Sequence, residues 1–347
     1  MAPGEVASGE VVPGEVVPGE VVPGEVVPAG PVARAGPARG SRRSRWVVAL
    51  GLGLALVAAA CGRTGGSGSE ASTDASELRE VAGAAQRSLV QGGLTRRYRV
   101  YVPPDLDGAT RVPAVLVLHR VGNDPEVTAE VTGFDRQADA SGFVVAYPEG
   151  TDLSWNAGFC CAPASTAGAD DMGFLRALVG RLSADPLVDA ARVYVVGFFA
   201  GAMMAYRFAC EASDLVAGVG SVAGTMVLND CRPSRPVSAI EVHGTADALV
   251  PYEGGELQPP GLRAASLAPP AADVAERWAV LDGCGLRPAE GGAPPIALQT
   301  WIGCAEGTRV QLVTVQGGTH TWYGPGLRPP DDGLDATAAI WRFLSGA

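Results

Sequence analysis

The stretch VVGFFAGAMMAYRFAC, from Val195 to Cys210, decides how the chain is read. It begins as a β-branched run ending at Gly197. It passes through Gly-Phe-Phe-Ala-Gly (197–201) and continues into small and apolar residues. A buried strand, a sharp turn and a buried helix follow from that order. Turns of the form G-x-S-x-G between a strand and a helix lift a serine hydroxyl onto the crest of the bend. The crest residue here is Phe199. The sequence therefore carries the frame of a nucleophile-bearing turn with a hydrocarbon in the nucleophile's place.

The 347 residues, 47% of them apolar, suffice for one large domain or two small ones. A net charge of −11, with no basic patch outside the N-terminal part, excludes nucleic acid as a partner. Residues 1–38 form a low-complexity extension in which PGEVV recurs with a period of five, and such a composition builds no core. Residues 39–61 read as an export signal: RGSRRSRW supplies the basic start and VVALGLGLALVAAAC the apolar run. That run is short for a membrane span. Arg42 and Arg43 leave the twin-arginine and general export routes both open. AAAC followed by Gly resembles a bacterial lipobox, with Cys61 as the lipidated residue and the membrane as a partner through that lipid; the other reading is an ordinary cleaved signal. Residues 62–85, starting GRTGGSGSEASTDAS, form a flexible tether. Residues 86–347 carry the fold.

Past Cys61 six cysteines remain, an even number that implies up to three disulfides in an exported chain. Cys284 and Cys304 flank one proline-rich excursion and are expected to pair. Cys160 and Cys161 are expected to pair with other cysteines. No CxxC occurs, and the three histidines are needed elsewhere, so no metal site and no cofactor is expected.

RRYRVYVP (Arg96 to Pro103) alternates with period two and predicts an antiparallel edge strand. VPAVLVLH, GFVVAYPEG, ARVYVVG, VAGVGSVAG, VSAIEVHG and RVQLVTVQGG are continuous apolar runs, suited to strands covered on both faces. DDMGFLRALVGRLSAD opens on an Asp cap and sets Phe174, Leu175, Leu178 and Leu182 on one helical stripe. AADVAERWAVLDGC and LDATAAIWRFLSG carry similar stripes. The alternation predicts an α/β fold, one doubly wound and mostly parallel sheet. His119, His243 and His320 each end a predicted strand, and strand carboxyl ends are where such sheets place their ligands.

The chain from about Tyr98 to the C-terminus resembles the family of polyhydroxybutyrate depolymerases, feruloyl esterases and acetylxylan esterases. VLVLHRVGND, SWNAGFCC, VHGTADALVPY and GGTHTWYG carry the likeness together with the opening stretch. The resemblance implies an α/β-hydrolase fold and a serine carboxylic ester hydrolase. Asp247 would be the triad acid and His320 its base. The oxyanion donors would be the backbone N–H of Ala200 and one from the loop at Arg120. His119 and His243 would orient loops. Trp155 and Trp322 offer either a stacking surface for a ligand or core packing.

Two positions depart from the family pattern. Phe199 has no lone pair to attack a carbonyl and no proton for His320 to remove. Arg120 replaces the first glycine of the oxyanion loop, which changes its shape and charge. On this reading Phe199→Ser alone restores little, and adding Arg120→Gly helps further. Ser154, Ser165 and Ser221 lack the geometry to substitute. The first expectation is an exported esterase homologue with impaired catalysis that binds an ester, an aromatic or a glycan. The alternatives are a hydrolase in which Asp247 and His320 activate water, and a non-enzymatic envelope ligand-binding protein.

Overall fold

Continuous apolar runs turn into strands covered on both faces: all residues of Val112–Leu118 and of Val144–Pro148 are buried. The computed structural model describes residues 77–81, 83–257, 267–324 and 333–346. The PGEVV repeats, the export signal with Cys61 and most of the tether lie outside the described residues.

In chain order the elements are β1 (Gly83–Gln91), β2 (Leu94–Val102), β3 (Val112–Leu118), α1 (Pro125–Thr132), α2 (Phe134–Ser141) and β4 (Val144–Pro148). There follow α3 (Ala164–Ala167), α4 (Asp171–Ala184), β5 (Val188–Phe198), α5 (Ala200–Glu211), β6 (Gly218–Val222) and β7 (Ser238–Gly244). The chain closes with β8 (Gly255–Glu256), β9 (Leu267–Ala268), α6 (Ala271–Leu281), β10 (Ala289–Ala293), β11 (Ile296–Trp301), β12 (Val310–Val315) and α7 (Ala336–Ser345). Ten strands form one sheet in the order β1-β2-β4-β3-β5-β6-β7-β12-β11-β10. From β4 to β12 every neighbouring pair is parallel, and an antiparallel pair closes each edge.

Helices cover both faces, as β6 demonstrates. A Cβ added at Gly218 or Gly220 would strike Leu344 or Ile340 of α7. The residues between them turn to the opposite face, where α5 packs. The elbow helix α5 is buried over most of its circumference, Met203, Met204 and Phe208 included, which is why its sequence shows no polar stripe.

The structure corrects three expectations here. Of the Arg96–Pro103 segment, Arg96 to Val102 lie in β2, which is covered by β1 and is not an edge. β1 starts at Gly83, ahead of the expected start at residue 86. Cys160 and Cys161 bond to each other. Cys210 pairs with Cys231, and Cys284 with Cys304 as expected, which leaves those two adjacent residues only one another. The excursion between Cys284 and Cys304 is itself a hairpin, β10–β11, that extends the sheet.

Asp282, at the end of α6, is buried and accepts the Val237 N–H at 3.1 Å. Burial pushes its pKa up to about 6, against the hydrogen bonds that pull it down. Its ordinary value is 3.8, so between about pH 4 and pH 6 the folded state holds a proton that the unfolded state releases. Stability contributed here is present below that window and falls as pH rises through it. Asp282→Asn is expected to remove this dependence; urea unfolding at both ends of the window measures it, and parallel curves for parent and variant would refute it.

Candidate active site

The carboxyl ends of β3, β5, β7 and β12 converge where their connecting loops carry His119, Phe199, Asp247 and His320. Phe199 occupies the crest between β5 and α5 with φ 52° and ψ −112°. That left-handed conformation is costly for a bulky side chain and is typical of functional bends. Its N–H donates to Val222 O at 3.0 Å, and its carbonyl accepts from Met203 N, which fixes the bend.

The glycines that permit the bend are both present. A Cβ on Gly197 would collide with the backbone of Gly201 and Ala202. One on Gly201 would collide with the Leu118 and His119 carbonyls. Gly201→Ala is therefore expected to destabilise the fold by about 1–3 kcal/mol through overpacking, read by chemical denaturation; an unchanged midpoint would show that the loop yields freely.

Asp247 and His320 meet as the resemblance implied. His320 Nδ1 donates to Asp247 Oδ2 at 2.8 Å, and the two side chains are 7% and 0% exposed. Asp247 Oδ1 accepts from Leu249 N and Val250 N, each at 2.9 Å. Burial pushes the Asp247 carboxyl up, but hydrogen bonds from His243 and His320 and from the Val250 backbone outweigh it and hold the carboxyl well below the usual range.

The far nitrogen of His320, Nε2, is buried and has no hydrogen-bond partner among the described residues. Two phenyl rings enclose the imidazole. Phe199 meets it edge-on at 4.9 Å between centroids, and Phe198 stacks on it at 5.3 Å. Phe199 is itself 4% exposed, so its ring is packed beside the base and does not stand in solvent.

The Ala200 N–H stands at the first position of α5, where a helix offers no internal acceptor. In the loop after β3, Gly122 N donates to Leu153 O at 2.8 Å and Asn123 N to Arg120 O at 3.2 Å. The amides of Arg120 and Val121 donate no hydrogen bond among the described residues. The Arg120 side chain is exposed, with Nε donating to Asn123 Oδ1 at 3.2 Å. Its backbone lies outside the left-handed region, whereas Gly122 has φ 81°. The backbone conformation thus demands glycine at 122 and not at 120.

His119 is a loop anchor. Its Nδ1 donates to Arg120 O at 2.8 Å, while Nε2 accepts from Gly150 N at 2.9 Å. Burial lowers its pKa to about 4, which keeps the ring neutral and able to play both parts. Trp155 and Trp322 are core residues: Trp155 Nε1 donates to His119 O at 2.9 Å and Trp322 Nε1 to Thr337 Oγ1 at 3.0 Å. Ser154 is tied to Thr151 and Ala164, and Ser221 is buried inside β6. Among the described residues no cluster of His, Cys, Asp and Glu is arranged to hold a metal ion.

The elbow between β5 and α5 is thus followed in chain order by an Asp–His pair carried on the loops after β7 and β12. The family model described as "Esterase PHB depolymerase" matches residues 96–250. An esterase-named protein of Nocardia uniformis subsp. tsuyamanensis is 34% identical over 268 residues, covering 72% of this chain and 77% of its own. The chain belongs to the Esterase PHB depolymerase family.

Other family relatives are more distant. Feruloyl esterase B of Piromyces equi is 26% identical over 65% of this chain, and a bifunctional acetylxylan esterase/xylanase of Neocallimastix patriciarum is 27% identical over 73%. The matched regions span 42% and 33% of those two proteins. Among solved structures, an acetyl xylan esterase from Aspergillus awamori superposes with a TM-score of 0.53 at 14% identity, over 76% of this chain and 100% of its own, and shares the α/β-hydrolase fold.

Proposed function

We propose that this chain is an exported member of the esterase family, lipid-anchored through Cys61, that has lost serine chemistry. It keeps its cleft for an ester, an aromatic or a cell-envelope glycan. The observation that carries this reading is Phe199: the elbow conformation is intact at φ 52°, yet a phenyl ring lies against the base. A hydrocarbon cannot form an acyl-enzyme. The family membership supports an ester or glycan ligand. The basic start, apolar run and Cys61 support export and anchoring.

The purified chain is expected to turn over short p-nitrophenyl esters, and to take up a fluorophosphonate probe, no more than its His320→Ala variant does. Labelling above that control would sink the proposal. The 2.8 Å bond between His320 and Asp247 favours a second reading, in which the pair activates water. Water would have to reach Nε2, and that atom is buried beneath Phe198 and Phe199. A turnover that disappears in His320→Ala without any covalent labelling would establish this second reading. A non-enzymatic envelope role is supported if the chain binds ferulate or a xylo-oligosaccharide in a thermal-shift assay and turns over neither.

A further inference from the structure

Behind Asp247 lies a second buried acid–base unit that the esterase reading does not use. On β7, Glu241 and His243 are two residues apart and so face the same side of the sheet. Both side chains are 1% exposed. His243 Nδ1 lies 2.9 Å from Glu241 Oε1, and Nε2 lies 2.9 Å from Val250 O and 3.5 Å from Asp247 Oδ2. Glu241 Oε2 accepts from Tyr206 O–H of α5 at 2.8 Å. The Tyr252 ring meets His243 edge-on at 5.8 Å, with its hydroxyl turned to Thr314. No other titratable or charged side chain is recorded against His243 among the described residues.

We propose that Glu241 and His243 are positioning residues for the Asp247–His320 pair, a buried carboxylate–imidazolium unit that presents a fixed positive charge to Asp247. The argument is one of donors and acceptors. Val250 O is a carbonyl and can only accept, so Nε2 carries a proton. The Nδ1–Glu241 contact then holds one further proton, on the ring or on the carboxyl. Asp247 is ionised and sits close to Nε2, which favours the charge on the ring. Glu241 also accepts a hydrogen bond from Tyr206, which favours its anion. In the same direction, burial lowers the His243 pKa, but hydrogen bonds that the ring donates to the carboxylates of Asp247 and Glu241 overcome it and raise the value to about 10.

The consequence is electrostatic. Asp247 Oδ2 faces two rings, and the cation on one offsets its pull on the proton of the other. The inference concerns charge and orientation within the site, and it holds whether or not the proposed loss of serine chemistry is correct.

Nitrogen-15 NMR of the histidine side chains in the whole chain tests it at pH 8. Both ring nitrogens of His243 are expected at the positions of a protonated imidazolium, and His320 is expected to show a downfield Nδ1–H bonded to Asp247. A bare Nδ1 on His243 at that pH would overturn the proposal, since Glu241 would then hold the proton. In Glu241→Gln, His243 is expected to lose its charge at pH 8 and the His320 Nδ1–H resonance to move further downfield. Glu241→Asp should restore the parent spectrum at least in part. If Glu241→Gln folds and leaves both rings as in the parent, Glu241 serves packing alone and the proposal fails. Each of these readings is independent of ester turnover.

Discussion

Phe199→Ser is expected to raise p-nitrophenyl acetate turnover about 10³-fold over the parent and to make the chain reactive toward a fluorophosphonate. Deleting a triad nucleophile costs roughly 10⁶ in kcat, so recovery of half that span on a logarithmic scale is a modest demand. The backbone at 199 already has the elbow conformation, and both glycines of the frame are in place. The base is already paired to its acid at 2.8 Å, and its Nε2 has no competing partner among the described residues. Arg120→Gly should add little, because the Arg120 side chain is exposed and its backbone makes no demand for glycine. A folded Phe199→Ser chain at the parent's rate, with no probe uptake, would show that the elbow is not a working frame. A large further gain from Arg120→Gly would show that the loop matters more than its geometry indicates.

Asp247→Ala is expected to destabilise the fold by about 3–5 kcal/mol, the cost of breaking a buried pair from one side. The variant leaves the His243 cation facing Asp247's empty place and frees the amides of Leu249 and Val250. Because the Asp247 carboxyl is held below its usual range, its contribution is present at neutral pH and lost as pH falls through its folded value. The gap between parent and variant should therefore narrow in strong acid. Urea unfolding at neutral and acid pH measures both effects. A variant as stable as the parent would mean that the Asp–His pair is a surface ornament of the site. The expected result would give the pair a structural role beside Phe199 that does not depend on turnover.

The central strands were legible because β3, β4 and β7 are covered on both faces and leave continuous apolar runs. β1 and β10 were not. β10 reads AEGGA and is exposed throughout, so its place in the sheet comes from hairpin pairing with β11 and from no hydrophobic pattern. β1 is mostly exposed and joins β2 through Gly92-Gly93, which hid the fact that β2 has an outer neighbour.

At the site, the meeting of Asp247, His320 and Phe199 was foreshadowed by chain order and the elbow motif. The vicinal bond of Cys160 and Cys161 was not, since which cysteines lie near one another is decided only by the fold. Glu241 was missed as well. It stood in plain view as a lone carboxylate inside AIEVH, two residues before a histidine. Period-two spacing puts that pair on one face, and an acid in an otherwise apolar strand needs a buried partner.

The retained bend has a genetic corollary. Phenylalanine and serine codons differ at a single second-position pyrimidine, and nothing else in the elbow must move for the hydroxyl to return. On the proposed reading, a population carrying this gene and grown with an ester as its sole carbon source is expected to gain the reaction by one transition mutation. A scaffold that had filled Gly197 or Gly201 would need coordinated changes, and the route back would be closed.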